Sequence, residues 1–352
     1  MKALSVSFPR IGPIAVPFQI REGPSGSLSN DLMTASGFDH LSRRRALQGL
    51  AALSGLADAK LSSAAPERYK LGVNASMYGE LPLDQAMAHV RKAGYRYICI
   101  GRAHAGEVVY SPDLPKAERT RILRRIRDLG VEPIMSLGGF AAELESDDGP
   151  KKYIAQLDLC ADYEIPIMVG GGPWYYTKFP NLPKRERDWF PEVSRFYTGL
   201  EQAVRHAESI GVTITLKPHT GITARARDCM LVVKRVASPR LKIAWDAGNV
   251  SFYEGVYPDP DLPDLAPEVK AVCIKDHLGL RGDENFPVPG RGQVDHELMF
   301  RTLFAAGFTG PLQIERVDGR DRGRLAPEII DERLTTANHY LAPLLDRITS
   351  GA

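Results

Sequence analysis

From Lys70 onward the chain alternates short apolar runs with longer stretches of helical period, and eight such runs can be counted. Strand-helix alternation builds βαβ units, whose strands lie parallel because each crossover returns the chain to the starting end. The predicted strands fall at 71–76, 95–100, 131–137, 166–169, 212–216, 242–245, 269–274 and 311–314. The predicted helices fall at 83–93, 116–129, 150–163, 191–210, 224–236, 296–306 and 327–345. Gly94, Gly130, Gly211 and Gly307 stand where helices should stop, since glycine accepts the left-handed backbone that ends a helix. Eight strands in series favour an α/β fold closed into a (β/α)8 TIM barrel over an open doubly wound sheet. Gly170-Gly171-Gly172 runs into aromatics rather than a helix start, so it makes a poor phosphate loop.

The first 66 residues do not share this pattern. Residues 1–40 mix Pro, Gly, Ser and Asn without a period and read as disordered, or as sequence upstream of a start at Met33. Ser42-Arg43-Arg44-Arg45-Ala46-Leu47-Gln48 then precedes a mild apolar stretch at 49–57 and small residues at 62–65. A basic start, a short apolar middle and a small-residue exit describe an export signal, and the paired arginines give it a twin-arginine character. Ala46 takes the place of the usual aromatic, and Asp58 sits near the exit. The expected division is a signal-bearing 1–66 and a barrel at 67–352, with a periplasmic protein as the result. An ordinary basic amphipathic helix on a cytoplasmic protein is the alternative.

Net charge is +2, which gives no reason to expect nucleic acid or an anionic membrane as partner. No apolar run reaches the length of a membrane span. Cys99, Cys160, Cys229 and Cys273 are scattered and form no CxxC pair, so a disulfide framework or cysteine-zinc cage is not expected. A homo-oligomer is compatible with the composition and not specified by it.

In such barrels the chemistry sits where strands run into the following loops. Those ends hold Lys217, His219, Asp246, Lys275, Asp276, His277 and Glu315. Strand alternation puts Lys217 and His219 on one face, and Lys275 and His277 on one face. A single Asp after a strand is usually a turn or a helix cap, but four consecutive strands ending this way point to a site. Asn74, Arg102 and His104 end the first two strands and are candidates to hydrogen-bond a polyol. Trp174, Tyr175 and Tyr176 follow strand four, and Phe252 and Tyr253 follow strand six. These aromatics either stack on a sugar or pack the loops.

The stretch from Val212 to Glu315 resembles the sugar phosphate isomerase/epimerase family with its xylose-isomerase-like barrel. The resemblance rests on Leu216-Lys217-Pro218-His219-Thr220-Gly221, Asp246-Ala247-Gly248-Asn249, Ile274-Lys275-Asp276 and Pro289-Gly290-Arg291-Gly292-Gln293-Val294-Asp295. The most specific block is Gly307-Phe308-Thr309-Gly310-Pro311-Leu312-Gln313-Ile314-Glu315. The resemblance implies a divalent metal (Mn, Mg, Co or Zn) held by a Glu after strand five, an Asp after strand six, a His on strand seven and a Glu after strand eight. Asp246 and Glu315 match that set, and His219 keeps a histidine near it. Lys217 stands at the first Glu position, Cys273 at the His position, and Asn249 where a further His is often found.

Three arrangements follow. A rebuilt metal site would use His219, Asp246 and Glu315, with His277 in support. Alternatively Lys217 supplies the missing positive charge and stabilises an enediolate, or catalysis is lost and the barrel only binds sugar. The implied activity is isomerisation or epimerisation of a sugar-like small molecule by proton transfer beside a carbonyl. Glu315 would be the base, Lys217 and Lys275 further catalytic residues, with Lys217 a cation, a base or a Schiff-base former, and Asn74, Arg102, His104, Trp174, Asn249 and His277 substrate contacts. Alternatives are a lyase or hydrolase using the same enolate chemistry, or an exported non-catalytic sugar-binding barrel. A three-zinc DNA-repair barrel would need more histidines at strand ends and a basic face.

Overall fold

The structure, a computed structural model, describes residues 68–257, 260–321 and 325–351. The expected export segment lies outside the described residues. The eight strands are β1 Lys70–Asn74, β2 Tyr97–Cys99, β3 Glu132–Met135, β4 Ile167–Gly170, β5 Thr213–Leu216, β6 Leu241–Trp245, β7 Val269–Ile274 and β8 Pro311–Ile314. They pair in the order β3-β2-β1-β8-β7-β6-β5-β4, all parallel. A parallel bridge between Ser136 and Met168 joins the two ends, so the sheet closes into the expected barrel.

The helices of eight residues or more are α1 Leu83–Lys92, α2 Lys116–Asp128, α3 Gly149–Asp162, α4 Glu186–Ile210, α5 Ala226–Val236, α6 Ala247–Glu254, α7 His296–Ala305 and α8 Pro327–Thr349. The four glycines read as helix stops all adopt left-handed φ, between 74° and 92°. None of the described helices is long and apolar enough to cross a membrane.

Departures from the sequence reading have local causes. The last two residues assigned to strand one, Ala75 and Ser76, instead open a 3-10 turn, because the Asn74 side chain accepts the Ser76 N–H at 3.1 Å. Helix α4 starts at Glu186 rather than at Pro191. Glu186 and Asp188 fall in its first turn, where negative charge is favoured, and Pro191 is carried inside the helix. Helix α6 was not expected at all, since all-round burial gives it no amphipathic period. Two hairpins also escaped the sequence reading: Ala103–His104 with Glu107–Val108, and Tyr176–Lys178 with Leu182–Pro183.

Alternation along each strand sorts the core into two parts. Outward residues such as Val73, Ile98, Met168, Ile214, Ile243, Val272, Leu312 and Ile314 pack against Met87, Ile126, Leu157, Leu200 and Phe300 of the helices. A separate inner cluster contains Tyr97, Cys99, Ile167, Val169, Ala244, Ala271 and Cys273. Gly72 belongs to the inward set. A Cβ there would come within 2.5 Å of the Tyr97 carbonyl oxygen and 2.9 Å of the Tyr97 Cβ, so glycine is what lets β2 and its tyrosine lie this close.

The same alternation defines the mouth. Two residues beyond Thr215, Ala244, Cys273 and Gln313 come Lys217, Asp246, Lys275 and Glu315. Gln313 is fully buried, and neither of its amide atoms finds a protein hydrogen-bond partner.

Candidate active site

Four consecutive strands, β5 to β8, each deliver one charged group to the barrel mouth, and the four form a closed ion-pair network. The Lys217 ammonium lies 2.7 Å from Glu315 Oε2, 3.0 Å from Oε1 and 3.5 Å from Asp246 Oδ2. The Lys275 ammonium lies 3.1 Å from Glu315 Oε1 and 3.4 Å from Asp246 Oδ2. The side chains of Lys217, Asp246 and Lys275 are at most 5% exposed, whereas that of Glu315 is 14% exposed. Phe140 stands 5.3 Å from the Lys217 ammonium and Phe286 5.6 Å from that of Lys275, so an aromatic face covers each cation.

The motifs around the network position it. The Asp246 side chain caps α6 by accepting the Asn249 N–H at 2.8 Å, and the Asn249 side-chain amide donates to the Pro218 carbonyl at 2.7 Å. Between them, Gly248 lies against Lys275. A Cβ there would be 2.4 Å from the Lys275 carbonyl oxygen and 2.9 Å from its Cγ. Asp246-Ala247-Gly248-Asn249 is therefore a clamp that fixes the ends of β5, β6 and β7 against one another.

Asp276 is fully buried and accepts four backbone N–H groups, from His277, Gly290, Gly292 and Val294, at 2.8 to 3.1 Å. It organises the Pro289 to Asp295 loop and makes no direct approach to the lysines.

Burial works against the charge of Lys217, but the Glu315 and Asp246 carboxylates overcome it and hold the ammonium above the usual lysine range. Burial works against Glu315 as well, yet the two ammoniums hold its carboxyl well below the usual carboxylate range. Burial pushes Asp246 up, against the pull of the lysines. Burial, with the nearby ammoniums, drops His219 to about 3, so its imidazole is neutral.

Open space lies on the β1 to β3 side. A groove of about 650 Å³ is lined by Asn74, Cys99, Arg102, Tyr110, Ser136 and Lys151, among others. A smaller cleft of about 290 Å³ shares Asn74 and Ser76 with it and reaches Glu315 and Arg316. Glu315 is thus the member of the network that meets the open cleft.

Of the residues read from the sequence, Lys217, Asp246, Lys275 and Glu315 converge, Asn74 and Arg102 line the groove, and Trp174 stands at the rim. Trp174 is 38% exposed, with ring contacts to His219 at 5.4 Å and Tyr253 at 6.0 Å. Three expected substrate contacts lie elsewhere. His277 is fully buried, its Nδ1 taken by the Ser251 hydroxyl and its Nε2 by the Asp283 carbonyl, both at 2.7 Å. His104 belongs to the first hairpin and is buried there, with Nδ1 facing the Tyr78 carbonyl at 3.3 Å. Asn249 is spent on the clamp. Phe140, at the end of the β3 loop, was missed; its position just past a strand end was the available signal.

Among the described residues, Asp246, Cys273 and Glu315 are the set whose ligand atoms lie within 4.8 Å of one another, the spacing of a metal site. His219 is not in that set. It faces the Tyr253 hydroxyl at 3.0 Å and packs against Trp174 and Phe140. The set does not fit a hard divalent ion. Both carboxylates face two ammoniums, and burial pushes the Cys273 thiol well up, leaving it neutral and a poor ligand.

Comparison with known proteins places this geometry in a family. The family model described as a xylose isomerase-like TIM barrel matches residues 87–335, well over half of the chain. Among curated protein sequences nothing matches. Several solved structures share the fold. D-psicose 3-epimerase from Clostridium cellulolyticum H10, solved with D-tagatose, is 14% identical, with 78% of this chain and 99% of that chain covered and a TM-score of 0.61. An L-ribulose 3-epimerase is 16% identical, with 80% and 96% covered and a TM-score of 0.59. The 3-keto-D-glucoside 4-epimerase of E. coli is 15% identical, with 77% and 99% covered and a TM-score of 0.59. The chain belongs to the xylose isomerase-like TIM barrel family.

Proposed function

We propose that the protein is an isomerase or epimerase of a sugar or sugar derivative, moving a proton beside a carbonyl at the mouth of the barrel. The observation that carries this reading is the pairing of a cleft-facing carboxylate, Glu315, with two ammoniums at 2.7 and 3.1 Å. Enediolate chemistry needs that combination: a base for the carbon-bound proton and a cation for the oxygen that becomes negative.

In the resting network Glu315 is a weak base, because Lys217 and Lys275 stabilise its ionised form. A substrate carbonyl that takes ammonium N–H bonds for itself weakens that hold, and the basicity of Glu315 rises. Glu315 then accepts the proton from the carbon next to the carbonyl. The C–H electron pair moves into the new C=C bond, and the carbonyl pair moves to oxygen, where the lysines stabilise it. Return of the proton to the other carbon, with the neighbouring hydroxyl proton passing to the former carbonyl oxygen, gives an isomer, and return from a second donor on the opposite face gives an epimer. Asn74 and Arg102 line the groove where hydroxyls would bind, and Trp174 offers a rim for the sugar face. A lyase or hydrolase would share the enolate step and differ in the bond broken next.

The chain's sugar-epimerase structural neighbours support the general class, but their low identity carries the fold alone. A direct test is incubation with a panel of keto-sugars and keto-glycosides, followed by NMR of the products. Interconversion that falls by about 10²-fold or more in Glu315→Gln supports the reading. Absence of turnover across the panel, with binding retained, favours a non-catalytic sugar-binding barrel. One observation favours that second reading: both ammoniums already engage Glu315.

We also propose that residues 1–66 direct export through the Arg43-Arg44-Arg45 segment. Fractionation of cells expressing wild type and Arg43→Lys/Arg44→Lys tests this. Equal distribution of the two proteins would count against it.

A further inference from the structure

We infer that the barrel's own lysines occupy the place of a catalytic cation, so that this site holds no divalent metal, and that Lys217, standing where a further ligand would be needed, is the residue that decides it. The inference rests on the reading above only in placing the reaction at the network.

The observation is geometric. The two carboxylates with metal-site spacing, Asp246 and Glu315, each lie within 3.5 Å of both ammoniums. Two positive and two negative side chains leave the buried group neutral, so an added divalent ion would bring two uncompensated charges into a water-poor site. A lysine ammonium carries no lone pair to offer a metal. The remaining donor, Cys273, would have to lose its proton before it could ligate.

The position of Lys217 decides the outcome. It is the more deeply engaged cation, touching both Glu315 oxygens, and it reaches the network from the end of β5, one strand away from Asp246. A carboxylate in its place would turn the group into three acids and one lysine around Cys273. That is a net charge of −2 in place of zero, with the oxygen donors a hard cation prefers.

The test is metal binding by chelator-treated, dialysed protein, with Mn²⁺ and Co²⁺ as probes. Elemental mass spectrometry and calorimetric titration are the readouts. Wild type is expected to take up no stoichiometric ion and to unfold at the same temperature with Mn²⁺ and with chelator. Lys217→Glu is expected to gain about one Co²⁺ per chain, while Lys217→Leu, which removes the charge without adding a ligand, gains none. Loss of the Co²⁺ uptake when Asp246→Ala is added to Lys217→Glu would tie the gain to this site. Wild-type protein that retains a stoichiometric metal, and loses it in Asp246→Ala, overturns the inference. That result stands even if Lys217→Glu does not fold. A folded Lys217→Glu protein without affinity for either ion would overturn the part assigned to Lys217. A metal-free wild type that turns over no keto-sugar would instead count against the proposed activity and leave this inference intact.

Discussion

At the scale of single residues, the network is a set of buried charges that stabilise one another in pairs. Removing one partner leaves the other as an uncompensated buried ion, which typically costs about 3–5 kcal/mol. Lys217→Met should therefore destabilise the fold by about that amount, read from the shift of the urea unfolding midpoint at unchanged m-value. Lys217→Met/Glu315→Gln should cost less than the sum of the two single changes, because the second change removes the orphaned charge. Simple additivity would mean that the pair does not interact as the distances indicate.

The sequence made these four residues visible, because each follows an apolar strand by one or two positions. It did not make their partners visible. His277 and Asn249 end strands or open helices in the same way, yet each is used up by a nearby group, Ser251 and Asp283 in one case and the Pro218 carbonyl in the other. Strand position tells which end of the barrel a residue occupies. Whether its polar atoms remain free depends on loops from distant parts of the chain.

At the scale of elements, two loop motifs hold the site, and both depend on glycine for close approach. A Cβ on Gly292 would lie 2.1 Å from Asp276 Oδ1 and 2.6 Å from the His277 carbonyl oxygen. Gly292→Ala should therefore break the bonds that Asp276 receives from the Pro289 to Asp295 loop. Hydrogen exchange should quicken at the amides of Gly290, Gly292 and Val294, with little change in β1 or β2. Unchanged protection at those three amides would show that the loop is held by something else. Gly248→Ala should instead push on Lys275 and lower turnover more than stability. A drop in stability alone would contradict the clamp assigned to Asp246-Ala247-Gly248-Asn249.

Strands β7 and β8 occupy the stretches read from the sequence, since their apolar runs are bounded by turn residues on both sides. Helix α6 and the two hairpins were illegible. The first is buried on every side, and the hairpin strands are only two or three residues long, too short for any period to register.

At the scale of the molecule, the barrel holds several histidines neutral in its interior. His219 is held at about 3, and burial lowers His104, His277 and His296 as well. An unfolded histidine titrates near 6.5, so on acidification the unfolded chain takes up protons that the folded chain refuses. Stability should fall as pH drops through about 6.5 and keep falling toward the folded values. Glu315 adds the same sign, since the stability from its lowered carboxyl is present above an ordinary glutamate value of about 4.3 and is lost as pH falls through its folded value. Asp246, raised by burial, works in the opposite direction but is a single carboxyl. Thermal unfolding between pH 8 and pH 4.5 checks this. A midpoint independent of pH over that range would mean that the buried histidines are not held neutral.

The barrel itself was legible because eight apolar runs at regular separation admit few other closures. The chemistry was legible as a place and as a choice: the resemblance led to a metal, Lys217 offered a cation in its stead, and the packing puts two ammoniums there. The most direct test of the account is solvent deuterium wash-in at the carbon beside the carbonyl of a bound keto-sugar, using chelator-treated protein in D₂O. Exchange is expected without added metal, lowered by about 10²-fold or more in Glu315→Gln and in Lys275→Met. Exchange that requires a divalent ion, or that survives both substitutions, would contradict it.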